Sequence, residues 1–82
     1  MSADVLSFEV DKELDVMGLA CPLPILKAKA TLTKMRSGEV LHVLATDPLA
    51  PLDFRAFCLR SDHEMLHLVE TKERSEFFIR KA

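Results

Sequence analysis

In its 82 residues the chain has no tryptophan, no tyrosine, two cysteines and two glycines. Two cysteines without C-x-x-C spacing cannot staple a small fold and do not make a thioredoxin-like redox pair. No apolar run approaches the length of a membrane span, and Met1 to Val10 lacks a basic stretch followed by an apolar one. Neither a spanning helix nor a leader is therefore expected, and the compartment implied is the cytoplasm, with its thiols reduced. A net charge of −2 gives no reason to expect nucleic acid as the main partner, and aromatics at 6% leave little for bases to stack on. Low-complexity segments, repeats and linkers are absent too, so residues 1–82 are expected to form a single domain. At this size about 60–65% of the unfolded surface is buried on folding, and a hydrophobic content of 49% is enough for one core.

Carboxylates are missing from one stretch in particular. Asp4, Glu9, Asp11, Glu13 and Asp15 make the N-terminal region acidic, yet none occurs from Val16 to Gly38. Lys27, Lys29, Lys34 and Arg36 accumulate there instead, which makes this stretch a local positive patch on a mildly acidic protein.

From Phe8 to Val16 the side chains alternate, with Phe8, Val10, Leu14 and Val16 on one face and acids on the other. Period two predicts a half-buried strand. Gly18 in the following link is free to take a positive φ. Ile25, Ala28, Leu32 and Met35 recur at helical spacing and predict a helix from about Pro22 to Arg36, with Gly38 as its left-handed C-cap. Glu39 to Ala45 is apolar on both faces apart from His42, as a central strand would be. Pro51 suits a first helical position, and Leu52 to Arg60 reads as a second helix with Phe54, Phe57 and Cys58 inward. Glu64 to Glu70 and Ser75 to Lys81 are strands joined by a polar turn, hence a hairpin. The expected fold is α+β: a two-layer βαβαββ sandwich with both helices on one face of a four-stranded mixed sheet.

Cys21-Pro22-Leu23-Pro24 is the segment that carries chemistry. With Pro22 at the first helical position, Cys21 becomes the N-cap, its sulfur beside unpaired amides and the positive end of the helix dipole. A thiol so placed is expected to be biased towards thiolate, the nucleophilic form. A free cysteine is otherwise often a small buried hydrophobe. The flanking prolines, the glycine three residues upstream and the carboxylate-free stretch favour the reactive reading.

Leu14 to Pro24, with its Gly-x-x-Cys-Pro-x-Pro pattern, resembles the signature of the TusA/SirA-like family of small sulfur-transfer proteins. The likeness continues through Ser37-Gly38-Glu39, Thr46-Asp47-Pro48, Asp53, Phe57-Cys58 and His63-Glu64. It implies the same βαβαββ fold and a sulfurtransferase that carries sulfane sulfur as a persulfide on Cys21, with Gly18, Pro22 and Pro24 shaping the site. The implied partners are a cysteine desulfurase or rhodanese-type donor and an acceptor protein with a reactive cysteine, and no cofactor is implied. The destinations it implies are transfer-RNA thiolation, molybdenum-cofactor assembly and sulfur oxidation. The runner-up is a non-catalytic regulatory or nucleic-acid-binding module, since the fold resembles the C-terminal domain of a translation initiation factor. A thiol-redox protein comes third, for want of C-x-x-C.

Other candidates are weaker. Leu23, Leu26 and Ala30 fall opposite the core stripe, edged by Lys27 and Lys34 on one side and Lys29 and Arg36 on the other. They could form a docking surface beside Cys21, or Met1 to Ser7 could cover them. Cys58 reads as a core residue rather than a resolving thiol. His63 and His67 are spaced like helical zinc ligands, but in a strand that spacing is about 13 Å, so no metal site is expected. Asp47 and Asp53 lie around the second helix start, where capping or fold support is favoured over acid–base catalysis.

Overall fold

Alternating and helical stretches become strands and helices in the order expected. The computed structural model describes residues 9–82. It contains β1 (Lys12–Asp15), α1 (Leu23–Thr33), β2 (Val40–Ala45), α2 (Ala50–Arg60), β3 (Glu64–Glu70) and β4 (Ser75–Arg80). The four strands form one sheet in the order β1-β2-β4-β3. β1 and β2 run parallel, and β4 is antiparallel to both β2 and β3.

Chain direction then decides where the helices go. β2 and β3 are also parallel to each other, with β4 inserted between them. Both crossovers, through α1 and through α2, step the same way across the sheet, and two right-handed crossovers of that kind put both helices on one face. Both helices must also start from the carboxyl ends of parallel strands, so their N-termini share one edge of the molecule.

The core fills the space between the layers. Val16, Leu32, Leu41, Val43, Phe77 and Ile79 are buried there, with Ala28 and Ala50 letting the helices sit close. Phe54 of α2 stacks on Phe77 of β4, ring centroids 4.4 Å apart. This contact ties the second helix to the inner strand pair. His42, the polar break in β2, lies against Phe78 at 4.3 Å between centroids, and its Nε2 meets Glu76 at 2.8 Å. Arg74 holds the other carboxylate oxygen of Glu76.

Element ends differ from the sequence reading, each for a local reason. The first strand was expected from Phe8; that residue lies outside the described range, and pairing begins at Lys12. The carboxylate of Asp11 accepts the Val40 N–H at 2.8 Å, and its own N–H reaches the Val40 carbonyl, so the ladder closes there. Val10, expected to be buried, is 40% exposed. α1 stops at Thr33 rather than Arg36, because Lys34 and Met35 donate to the carbonyls three residues back and tighten the last turn. Gly38 has a positive φ of 91°, but in the turn entering β2, where its N–H reaches the Lys81 carbonyl, and not as the helix cap. Pro51 is the second helical residue, one later than expected.

Because Phe54 and Phe77 are each fully buried, Phe54→Ala should lower unfolding free energy by about 3–5 kcal/mol in urea titration. For a chain of this length that is a large part of the total.

Candidate functional site

Cys21 stands at the shared edge where both helices begin. The segment leading to it is pinned to the sheet. Gly18, at φ 85°, donates its N–H to the Thr46 hydroxyl at 2.8 Å, and the Leu19 N–H reaches the Val16 carbonyl. Gly18 thus joins the turn after β1 to the end of β2. The Cys21–Pro22 peptide is cis. Pro22, not Cys21, is the N-cap of α1, and Leu23 is its first residue. Pro24 is buried at the second helical position, so it anchors the helix start to the interior. Cys21 itself is exposed.

This helix terminus has few amides left to offer the sulfur. Pro22 and Pro24 carry no N–H, the Leu23 N–H donates to the Ala20 carbonyl, and the Leu26 N–H donates to the Pro22 carbonyl. The Cys21 thiol turns to the other helix. Its Sγ–H donates to Oδ2 of Asp53 at 3.2 Å. Asp53 lies in the first turn of α2, where the helix dipole favours a carboxylate. Asp47, in the loop before α2, adds a second carboxylate; the Cys21 sulfur and one carboxylate oxygen from each of Asp47 and Asp53 lie within 4.8 Å of one another. Oδ2 of Asp47 is buried without a hydrogen-bond partner among the described residues.

The expected bias towards thiolate is therefore corrected. The hydrogen bond to Asp53 raises the Cys21 thiol above the ordinary cysteine value, and desolvation and the charges of Asp53 and Asp47 act in the same direction. A thiolate at this point would face two carboxylates at close range. The thiol form, with its proton shared towards Asp53, avoids that repulsion.

Beside Cys21 opens a groove of about 450 Å³, lined by both helices. Pro22, Ile25 and Lys29 come from the α1 side; Asp53, Phe57 and Arg60 come from α2. The Lys29 ammonium sits over the Phe57 ring, 5.5 Å from its centroid. Neither Lys29 nor Arg60 forms an ion pair among the described residues. The groove is thus two cations and one aromatic ring beside a thiol capped by a carboxylate.

The remaining candidates sit elsewhere. Leu23 and Leu26 are exposed, as are Lys27 and Lys34, so the apolar strip with basic edges faces outward along α1. Met1 to Ser7, the segment that could cover it, lies outside the described residues. Cys58 is half-buried against the core, and burial pushes its thiol up. It lines a different groove, with Leu59, His63 and Met65. The histidines are dispersed: His63 accepts the Ala82 N–H, His42 is held by Glu76, and His67 leans on Phe78.

Asp53, expected only in capping or fold support, is the residue whose contact with Cys21 sequence reasoning misses. The signal lay in topology. A cysteine opening the first helix and an acid opening the second must share an edge once both crossovers run the same way.

The sequence profile of the family described as sulfurtransferase TusA matches residues 12–81. The chain belongs to the TusA family. The sulfur carrier protein TusA of Allochromatium vinosum is 49% identical over 74 residues, covering 90% of this chain and 97% of that protein. Among solved structures, the crystal structure of a SirA-like protein from Desulfitobacterium hafniense superposes with a TM-score of 0.76 at 21% identity. That likeness covers 85% of this chain and 96% of the other, and it is one of fold. No helix among the described residues is long and apolar enough to cross a membrane.

Proposed function

We propose that this TusA-family protein is a sulfurtransferase of the carrier kind, which holds sulfane sulfur as a persulfide on Cys21. The observation that carries the reading is the exposed Cys21 thiol in its Gly-x-x-Cys-Pro-x-Pro setting, in a sequence 49% identical to a TusA sulfur carrier. The reaction needs a nucleophilic sulfur, a leaving thiolate and access, and no cofactor. Cys21 attacks the outer sulfur of a donor persulfide; an Sγ–S bond forms, the donor S–S bond breaks, and the donor sulfur leaves as thiolate. The Cys21 proton reaches that thiolate through water, so the exchange is balanced without an outside oxidant. A thiolate on an acceptor protein repeats the displacement and removes the sulfur.

The donor is a protein persulfide, of the cysteine desulfurase or rhodanese type. Both donor and acceptor would meet the outward face of α1, where Leu23 and Leu26 present apolar surface and Lys27 and Lys34 present charge. The positive edge suits an acidic partner surface, with steering that weakens as salt rises. The working compartment would be a reducing cytoplasm, in keeping with two free thiols.

Two measurements test this. Intact mass after incubation with a cysteine desulfurase and cysteine should show a gain of about 32 Da on wild type and on Cys58→Ser, and none on Cys21→Ser. Equal gain by Cys21→Ser would place the cargo elsewhere. Combined Lys27→Glu and Lys34→Glu should slow loading from the desulfurase several-fold, while alkylation of Cys21 by iodoacetamide keeps its rate. Equal slowing of both would remove the docking face from the account.

A further inference from the structure

Asp53 has a place in the site that capping does not explain. It accepts the Cys21 Sγ–H at 3.2 Å across the gap between two helices, and the side chain is only partly exposed. The charged groups around the sulfur come from three segments. α1 gives Lys29, the loop after β2 gives Asp47, and α2 gives Asp53 and Arg60. Yet no ion pair to Asp47 or Asp53 exists among the described residues, although two cations line the same groove. The carboxylate pair is therefore left to the thiol and to whatever docks.

We propose that Asp53 is a positioning residue that restrains Cys21 in the free protein and releases it when a cationic group of a docked sulfur-donor protein takes over the carboxylate. The role rests on the reading of Cys21 as the persulfide site. At rest the thiol donates a hydrogen bond to Asp53 and keeps its proton, which holds the sulfur in one direction and keeps the thiolate scarce. Small electrophiles and oxidants then meet a poor nucleophile, although the sulfur is exposed. Docking of a cation on Asp53 removes both the acceptor and the repelling charge, so the thiolate forms only opposite its intended donor. The proton leaves with the displaced donor sulfur, and the net change is transfer of one sulfane sulfur from donor to Cys21. Asp47 supports the restraint by charge alone, since the hydrogen bond is made by Asp53.

The test pairs a reaction that needs no partner with one that does. The rate of Cys21 alkylation by iodoacetamide is followed against pH in Cys58→Ser protein, with Asp53 intact, Asp53→Asn or Asp53→Glu. Loading by a cysteine desulfurase with cysteine is followed by intact mass on the same proteins. Asp53→Asn should move the alkylation profile to lower pH and raise the rate at pH 7 by about threefold or more, because more thiolate is present. Loading should not rise with it, and Asp53→Glu should restore part of the restraint. An alkylation profile unmoved by Asp53→Asn overturns the proposal, and so does a rise in loading equal to the rise in alkylation. Should Asp53→Asn not fold, Asp47→Asn gives the same comparison, with a smaller shift in the same direction; no shift there counts against the proposal. Failure of the Asp53-intact protein to take up sulfur on Cys21 would defeat the carrier reading, and this one with it. Normal loading with superimposed alkylation profiles would defeat only the role given to Asp53.

Discussion

The hydrogen bond from the Cys21 thiol to Asp53 is the contact around which the candidate site is arranged. Its two partners stand 32 positions apart in the sequence, and only the sheet brings them together. β1 and β2 run the same way and each feeds a helix lying on the same face, so the starts of α1 and α2 converge at one edge. Phe54, stacked on Phe77, fixes α2 against the sheet one residue beyond Asp53. Pro24 buries the start of α1 three residues beyond Cys21. The spacing of thiol and carboxylate is therefore a property of the core, not of a mobile loop.

Two opposing influences meet at that sulfur. A helix N-terminus favours negative charge through its free amides and dipole, and a nearby carboxylate disfavours it. Here prolines remove two amides from the terminus, and the Leu23 and Leu26 N–H groups are spent on backbone carbonyls. The carboxylate is direct and close. It wins, and the thiol is raised above the ordinary cysteine value. An exposed thiol in this state suits a carrier that must avoid indiscriminate reaction yet give its sulfur a clear path. Lys29 and Arg60 leave the groove next to it positively charged, in contrast to the acidic pair on the thiol itself.

Periodicity made most of the fold legible. Alternation in Leu14 and Val16, the three–four spacing of Ile25, Ala28, Leu32 and Met35, and the polar turn between β3 and β4 gave element types and order. Ends were less legible, because they depend on single tertiary bonds. Asp11 closes the β1–β2 ladder through Val40, and Gly38 spends its positive φ on a turn tied to Lys81 rather than on the helix cap. Cys21 stood out through its prolines, but its protonation did not. Local sequence shows a cysteine at a helix start and suggests a thiolate. The carboxylate that reverses this arrives from another helix, and nothing within ten residues of Cys21 announces it.

The most direct measurement is a titration of wild-type protein labelled with ¹³C at cysteine Cβ, followed by NMR, with Cys21 assigned by comparison with Cys21→Ser. The account predicts a midpoint for Cys21 above that of an unstructured cysteine peptide in the same buffer. A midpoint below the peptide's would show that the helix terminus prevails over Asp53, and would contradict the restraint on which the site has been built.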